Sequence, residues 1–260
     1  MLAVARLLVL ATGNAVPLLA ERRGDFDRWI REQTGDAWKG AWAVHDVRTD
    51  APLPRPSDAA GFVITGSSSS VTERAPWMLR TEALIRGIAA ARVPLLGICF
   101  GHQMIAQALG GDVQRNPRGR EIGTVRLTRV LDDPLFAGLP RQLDVNATHV
   151  DSVAKLPPHA EVLATTALDP VAAFRVGDRV KAVQFHPEFD ADAMRGYLVA
   201  REERVREEGL DPEALMAGVH PLTRGADILR SFAQGATAHF LQSFRAAVPH
   251  EAQPSSPTWR

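Results

Sequence analysis

The stretch Pro94–Gly111, PLLGICFGHQMIAQALGG, constrains this chain more than any other part of it. The continuous apolar run VPLLGIC has the pattern of a strand covered on both faces, as in buried parallel sheets. A helical segment follows at once, with Ile105, Ala108 and Leu109 on one side and Gly110-Gly111 as its stop. The passage from strand to helix therefore needs a sharp turn, and that turn falls on Gly97-Ile98-Cys99-Phe100-Gly101. This G-x-C-x-G form has the shape of the nucleophile elbow of hydrolases that use G-x-S-x-G. The central residue is forced into a strained conformation, and the glycines leave room for neighbouring backbone. Cys99 would stand at a helix N-terminus, where the macrodipole and free N–H groups favour a thiolate. The Phe100 N–H would point to the same place, ready to meet the charge of a tetrahedral intermediate. Two readings stand on these residues alone: a nucleophile, or a small buried hydrophobe.

The surroundings of the elbow set the fold class. AWAVHDV (Ala41 to Val47) and GFVITG (Gly61 to Gly66) read as strands, separated by a proline-dense loop. Pro76 to Arg92 reads as a helix, with Met78, Ile85, Ile88 and Ala89 at helical spacing. Leu7 to Ala11, ending at Thr12-Gly13, reads as a first buried strand. Arg6 breaks the N-terminal apolar run and argues against a signal peptide. Alternating strands and helices predict an α/β fold with a mainly parallel central sheet and flanking helices. After Gly111 come GTVRLTRV, QLDVNATHV, AEVLATTA, VAAFRV and RVKAVQFH, a β-rich stretch expected to be partly antiparallel. From Asp190 the chain turns helical. The expectation is one domain over 1–247, with a helical insertion at 190–220 and a disordered tail at 248–260.

Composition narrows the function classes. A chain of 260 residues with 45% hydrophobic and 23% charged residues has material for a substantial core and the balance of a soluble protein. Thirty basic residues match 30 acidic ones, so nothing suggests an electrostatic footprint for nucleic acid. The single cysteine excludes an intrachain disulfide framework and any multi-cysteine zinc site, and fits a reducing cytoplasm. No apolar run approaches the roughly 20 residues that span a bilayer, so no membrane partner is expected. No metal-ligand spacing is present, and no cofactor is expected.

A nucleophilic thiol needs a base, so the eight histidines must be sorted. His45, His159, His220, His239 and His250 lie in uninformative contexts. His102 follows the elbow and His149 lies in NATHVDSV; both are candidates to line a site. His186 ends the apparent strand KAVQFH, with Glu188 two residues on across Pro187. In an extended segment, residues i and i+2 project to the same side. The carboxylate can then orient the imidazole and stabilise it when protonated. The plainer alternative is a solvated strand end with a chance ion pair.

Together, GICFGHQ and the later FHPEF resemble the class I glutamine amidotransferases, whose triad is Cys-His-Glu. The resemblance runs from the first strand to Phe189 and implies a flavodoxin-like fold of that class. It implies Cys99 as nucleophile, His186 as base and Glu188 as its orienting acid. FVITGSSSSV looks like the family's strand and glycine loop, whose Gly66-Ser67 region would give a second oxyanion N–H beside that of Phe100. NPRGREIGTV and NATHVDSV resemble segments of amidotransferases related to GMP synthetase. By that resemblance Gln103, Thr148 and His149 would contact the main-chain groups of glutamine. The implied chemistry is hydrolysis of the L-glutamine side-chain amide through a cysteinyl thioester.

No P-loop or glycine-rich ATP signature follows. The expectation is thus a stand-alone glutaminase-type unit, or one that meets a separate ammonia-accepting synthetase subunit. The same triad also serves enzymes that cleave γ-glutamyl peptides, so that alternative stays open. A binding module that kept the fold is the rival from another class, and an intact triad argues against it. The charged run REERVREEGLDPEALMAG departs from the minimal family pattern. It reads as an exposed helix laced by i,i+4 ion pairs, or else as a lid or partner surface.

Overall fold

The computed structural model describes residues 5–222 and 224–247, so the expected tail at 248–260 lies outside the described residues. In chain order the strands are β1 (Arg6–Ala11), β2 (Ala41–Asp46), β3 (Gly61–Ile64), β4 (Leu95–Ile98), β5 (Asp112–Arg115) and β6 (Glu121–Arg129). They continue as β7 (Gln142–His149), β8 (Asp151–Lys155), β9 (Ala160–Thr165), β10 (Ala173–Val176) and β11 (Val180–Val183). The helices are α1 (Pro17–Arg23), α2 (Phe26–Thr34), α3 (Pro76–Ala90), α4 (Phe100–Ala108), α5 (Ala191–Ala200), α6 (Glu202–Glu207), α7 (Pro212–Gly218) and α8 (Gly225–Ala247).

Nine strands form one sheet in the order β2-β1-β3-β4-β11-β10-β9-β6-β7. The run from β2 to β11 is parallel throughout, with β1 between β2 and β3 and β4 between β3 and β11. From β11 outward every pairing is antiparallel. The small sheet β5-β8 is antiparallel too. Apart from β5 and β8, the expected β-rich second half therefore extends the parallel sheet along one edge.

The apolar strands are explained by their two covered faces. Leu7 and Val9 of β1, Val63 of β3 and Leu96 and Ile98 of β4 point to one face. There they meet Ile30 of α2 and Ile228, Leu229 and Phe232 of α8. Leu8, Leu10, Phe62, Ile64 and Leu95 point to the other, against Met78, Ile85 and Ile88 of α3 and Met104 and Ile105 of α4. Strict alternation of side chains along a strand produces this division. Each such side chain, once fully buried, contributes about 1.5–3 kcal/mol. A third cluster lies over the C-terminal ends of the strands: Leu19, Phe26, Trp29, Phe189, Met194, Tyr197 and Val205 pack together there.

Three details differ from the sequence reading. The strand taken to end at His186 stops at Val183, and a turn carries His186. Helices α1 and α2 precede β2 in a segment where no element was expected; Asp25 caps α2, and Phe26, Trp29 and Ile30 form its buried stripe. The charged run REERVREEGLDPEALMAG is two short helices, α6 and α7, rather than one. Its ion pairs are present, Arg204–Glu208 at 3.0 Å and Arg206–Glu202 at 2.9 Å. It is also anchored, by buried Val205 and by a bidentate Arg120–Glu208 pair at 2.6 and 3.1 Å. No described helix is long and apolar enough to cross a membrane.

The glycines of the elbow are required by close approach. A Cβ on Gly97 would lie 2.4 Å from the Gly101 carbonyl oxygen, and one on Gly101 2.5 Å from that of Ile64. The start of α4 thus rests directly on the ends of β3 and β4. Gly101→Ala is expected to lower stability by about 1–3 kcal/mol, the usual cost of overpacking, measured by urea unfolding. An unchanged midpoint would refute this packing account.

Candidate active site

Cys99 has φ 53 and ψ −103, the only residue between β4 and α4. A non-glycine residue at such a φ costs on the order of 1–3 kcal/mol and persists only where its surroundings enforce it. Here the Cys99 N–H donates to the Val183 carbonyl at 2.8 Å, and the Gln103 N–H donates to the Cys99 carbonyl at 3.2 Å. Elbow, strand β11 and helix α4 are locked together. The side chain is 6% exposed, with Sγ 3.8 Å from the Thr148 carbonyl oxygen.

His186 and Glu188 meet through a turn, not through the alternation of an extended strand. The Phe189 N–H donates to the His186 carbonyl at 3.2 Å, closing His186-Pro187-Glu188-Phe189 on itself. Strand β7 holds this turn from the side: the His186 N–H donates to the Asn146 carbonyl at 2.8 Å, and Asn146 Nδ2 donates to the Phe189 carbonyl at 3.1 Å. The imidazole stacks on Phe189, with ring centroids 4.0 Å apart. Its Nδ1 is 2.7 Å from Glu188 Oε1. Nε2 is left free of any protein hydrogen bond, and Glu188 is completely buried.

The electrostatics of the pair follow from burial opposed by charge. Burial pushes the Cys99 thiol up, yet the nearby charges of His186, His149 and Arg201 bring it below its ordinary value. Burial likewise opposes a charge on His186, but Glu188 and Cys99 raise it to about 10. Together these effects favour transfer of the thiol proton from Cys99 to His186.

The other expected site residues divide. A Cβ on Gly66 would lie 3.0 Å from His186 Cε1 and 3.9 Å from Cys99 Cβ, so this loop abuts the pair. It is pinned by residues the sequence reading passed over: the Thr12 hydroxyl lies 2.9 Å from the Thr65 carbonyl and 3.1 Å from that of Gly66. Ser67 and Phe100 line the cavity beside Cys99, and so do Gln103, Thr148 and His149. Gln103 Nε2 donates to the Asp151 carbonyl at 3.0 Å and to Gln184 Oε1 at 3.1 Å. His149 Nε2 lies 3.1 Å from Glu121 Oε2. Burial pushes His149 down, but Glu121, Asp169 and Cys99 hold it above its ordinary value. His102, by contrast, is not part of the cavity. Its Nε2 is 2.8 Å from the Val171 carbonyl, its ring sits edge-on to Phe174, and burial lowers its pKa to about 3. Among the described residues no group of three or more His, Cys, Asp and Glu side chains is placed to hold a metal ion.

Cys99 stands at the junction of two cavities. The larger, about 380 Å³, opens past Ser67–Ser70 toward His149, Asp151 and the arginines Arg115, Arg120 and Arg204. The smaller, about 160 Å³, includes His186 and is lined by Asn14–Pro17, Phe26 and Tyr197. Ser67, Ser68, Cys99, Thr148 and Arg201 border both. Arg201 and Tyr197 carried no sequence signal of their own, since the first opens a charged run and the second is the apolar side of an ordinary helix.

A family model described as glutamine amidotransferase class-I matches residues 41–203. A glutamine-hydrolyzing GMP synthase of Thermomicrobium roseum is 42% identical over 128 residues, 49% of this chain and 23% of that protein. Gamma-glutamyl peptidase 4 of Arabidopsis thaliana is 33% identical over 168 residues, 62% of this chain and 65% of that protein. One subunit of the glutamine-hydrolyzing GMP synthase of Pyrococcus abyssi is 40% identical over 108 residues, 41% of this chain and 57% of that protein. The matches thus span less than two thirds of each relative's length. The crystal structure of a glutamine amidotransferase from Thermotoga maritima superposes with a TM-score of 0.68 at 24% identity, over 92% of this chain and 98% of that one. That likeness is one of fold.

Alkylation by iodoacetamide follows thiolate content. A lowered thiol pKa keeps the thiolate as pH falls, so the Cys99 rate is expected to remain high at pH 7. His186→Gln removes the main opposing charge and leaves burial to push the thiol up. The midpoint of its pH–rate profile is expected to move upward, and the rate at pH 7 to fall ~10-fold for every pH unit the midpoint climbs. An unmoved midpoint would show that His186 does not set the thiol.

Proposed function

The chain belongs to the class I glutamine amidotransferase family, and from that premise we propose that it hydrolyses the side-chain amide of L-glutamine through a cysteinyl thioester. One observation carries the reading: the strained Cys99 borders one cavity with His186, whose Nδ1 is held by Glu188 and whose Nε2 is left free. The Cys99 thiolate attacks the amide carbon and forms the C–S bond. The oxyanion is met by the Phe100 N–H at the start of α4 and by the Gly66-Ser67 loop, each such donor being worth roughly 100-fold in rate. His186 gives its proton to the departing nitrogen, and ammonia leaves. It then takes a proton from the water that attacks the thioester, which releases glutamate and returns the thiolate. Glu188, bound to Nδ1, holds the tautomer that leaves Nε2 to do this work. Gln103, Thr148 and His149 would position the main-chain groups of the substrate. The relatives named as single subunits of a GMP synthase support a separate ammonia-accepting partner.

A second reading has its own support, cleavage of γ-glutamyl peptides or amides. The cavity beside His186, where the leaving nitrogen collects its proton, measures about 160 Å³. The cavity is thus larger than ammonia alone requires, and two relatives bear the name of γ-glutamyl peptidases.

Turnover of L-glutamine, γ-glutamyl dipeptides and γ-glutamyl alkylamides by purified protein tests both. Cys99→Ala is expected to lower every rate by at least ~10⁴-fold, and Glu188→Gln by ~10²–10⁴-fold. Glutamine preferred over the larger amides would favour the amidotransferase, and the reverse the peptidase. Activity that survives in Cys99→Ala would overturn both.

A further inference from the structure

The larger cavity is rich in arginine, yet its arginines are not alike. Arg120 forms two hydrogen bonds to Glu208, Arg204 reaches the same carboxylate at 3.0 Å, and Arg115 approaches it at 3.8 Å. Each of these three thus has a carboxylate within ion-pair distance, shared though it is. Arg201 has no carboxylate partner among the described residues. Its one hydrogen bond goes to the Thr148 hydroxyl at 2.5 Å, and its guanidinium lies 5.1 Å from the centre of the Tyr197 ring. A guanidinium carries five N–H donors in a planar fork that matches a carboxylate. Most of this fork is therefore unspent, at the place where both cavities meet Cys99. The Cys99 thiolate and Glu208 act on it only at a distance, and removing a cation from water without a counter-ion in contact is costly. A substrate that brings its own anion would supply what the fold withholds.

We propose that Arg201 is the carboxylate receptor of this site, and thereby selects γ-glutamyl compounds that carry a free carboxylate near the scissile amide. The inference rests on the reading of the site as one for γ-glutamyl amides. It gives a chemical role to the charged segment that begins at Arg201. Two carboxylates have the right chemistry: the α-carboxylate of the glutamyl unit, and that of a leaving amino acid. The junction position of Arg201 gives access to either, and substrates distinguish them.

The experiment pairs substrates that differ only in a carboxylate, using wild type, Arg201→Gln and Arg201→Lys. L-Glutamine is paired with 4-aminobutanamide, which lacks the α-carboxylate. γ-Glutamylglycine is paired with γ-glutamylmethylamide, which lacks the leaving-group carboxylate. Wild type is expected to prefer the carboxylate-bearing member of one pair by about 10- to 100-fold in kcat/KM. Arg201→Gln should abolish that preference, and Arg201→Lys should restore part of it. Collapse of the first ratio assigns the α-carboxylate, and collapse of the second the leaving group. A residue that merely held Thr148 in place would lower both members of each pair equally and leave both ratios intact, which overturns the proposal.

Thermal shifts with L-glutamate give a readout independent of turnover and confirm that the variants fold. Stabilisation of wild type that is lost in Arg201→Gln supports an α-carboxylate receptor. Such a result with no wild-type turnover would sink the hydrolytic reading alone. Equal or absent stabilisation in both proteins, with unchanged substrate ratios, would sink the role of Arg201.

Discussion

The parallel pairing of β4 with β11 is the constraint from which the site follows. Its last rung aligns Ile98 with Val183, and the next hydrogen bond runs from the Cys99 N–H to the Val183 carbonyl at 2.8 Å. Because the strands are parallel, both chains leave the sheet at the same end. One turns at once into α4, and the other reaches His186 just beyond. Nucleophile and base thus meet at the C-terminal ends of adjacent central strands, the place where open α/β sheets leave room for a ligand. β7 reaches the same rim from the antiparallel half and supplies Asn146, Thr148 and His149. A slip of one residue in the β4–β11 register would send Cys99 to the opposite face.

Burial and charge are in opposition throughout this rim. Phe26, Phe189 and Tyr197 enclose His186 and remove it from water, which by itself disfavours the imidazolium. Glu188 and Cys99 reverse that effect. The same aromatic wall strengthens each of these electrostatic contacts by excluding solvent. Without either the carboxylate or the thiol, the apolar packing would work against the chemistry. A second histidine–carboxylate pair, His149–Glu121, stands across the cavity. It is tied further by the Thr166 hydroxyl to Glu121 at 2.7 Å. That pair is held in place by the protein itself, while His186 keeps one nitrogen free.

The legible parts of the sequence were those where one residue type has one physical reason to be present. Buried strands must be apolar on both faces, so β1, β3 and β4 stand out. The elbow needs glycines at 97 and 101 because backbone atoms pass within contact distance there. His186 and Glu188 were paired by proximity, yet through a turn that the sequence disguised as strand; Gln184 and Phe185 stay buried after the ladder has ended. Helix α2 was missed because its apolar stripe, Phe26, Trp29 and Ile30, is diluted by Asp27, Arg28, Arg31 and Glu32 on its exposed face. Thr12 and Thr65 were invisible for a different reason. Their value lies in a hydrogen bond between distant positions, 3.1 Å from the Thr12 N–H to Thr65 Oγ1, and no local pattern encodes it.

The charged segment after Tyr197 shows why composition cannot separate a solvated helix from the wall of a site. Its i,i+4 ion pairs are what the spacing of Glu and Arg dictates, and pairs of that exposed kind contribute only tenths of a kcal/mol each. They cannot by themselves hold a short helix such as α6 in place. What fixes it is Val205 beneath and Glu208 at its end, which gathers Arg115, Arg120 and Arg204. With Glu208 in contact with those three, Arg201 is left without a carboxylate partner among the described residues, beside the cavity that holds Cys99. The same arginine-rich run therefore does two different things. Its later members brace the segment internally while Glu208 ties it to Arg120, and its first member stands without a carboxylate partner where the two cavities meet Cys99.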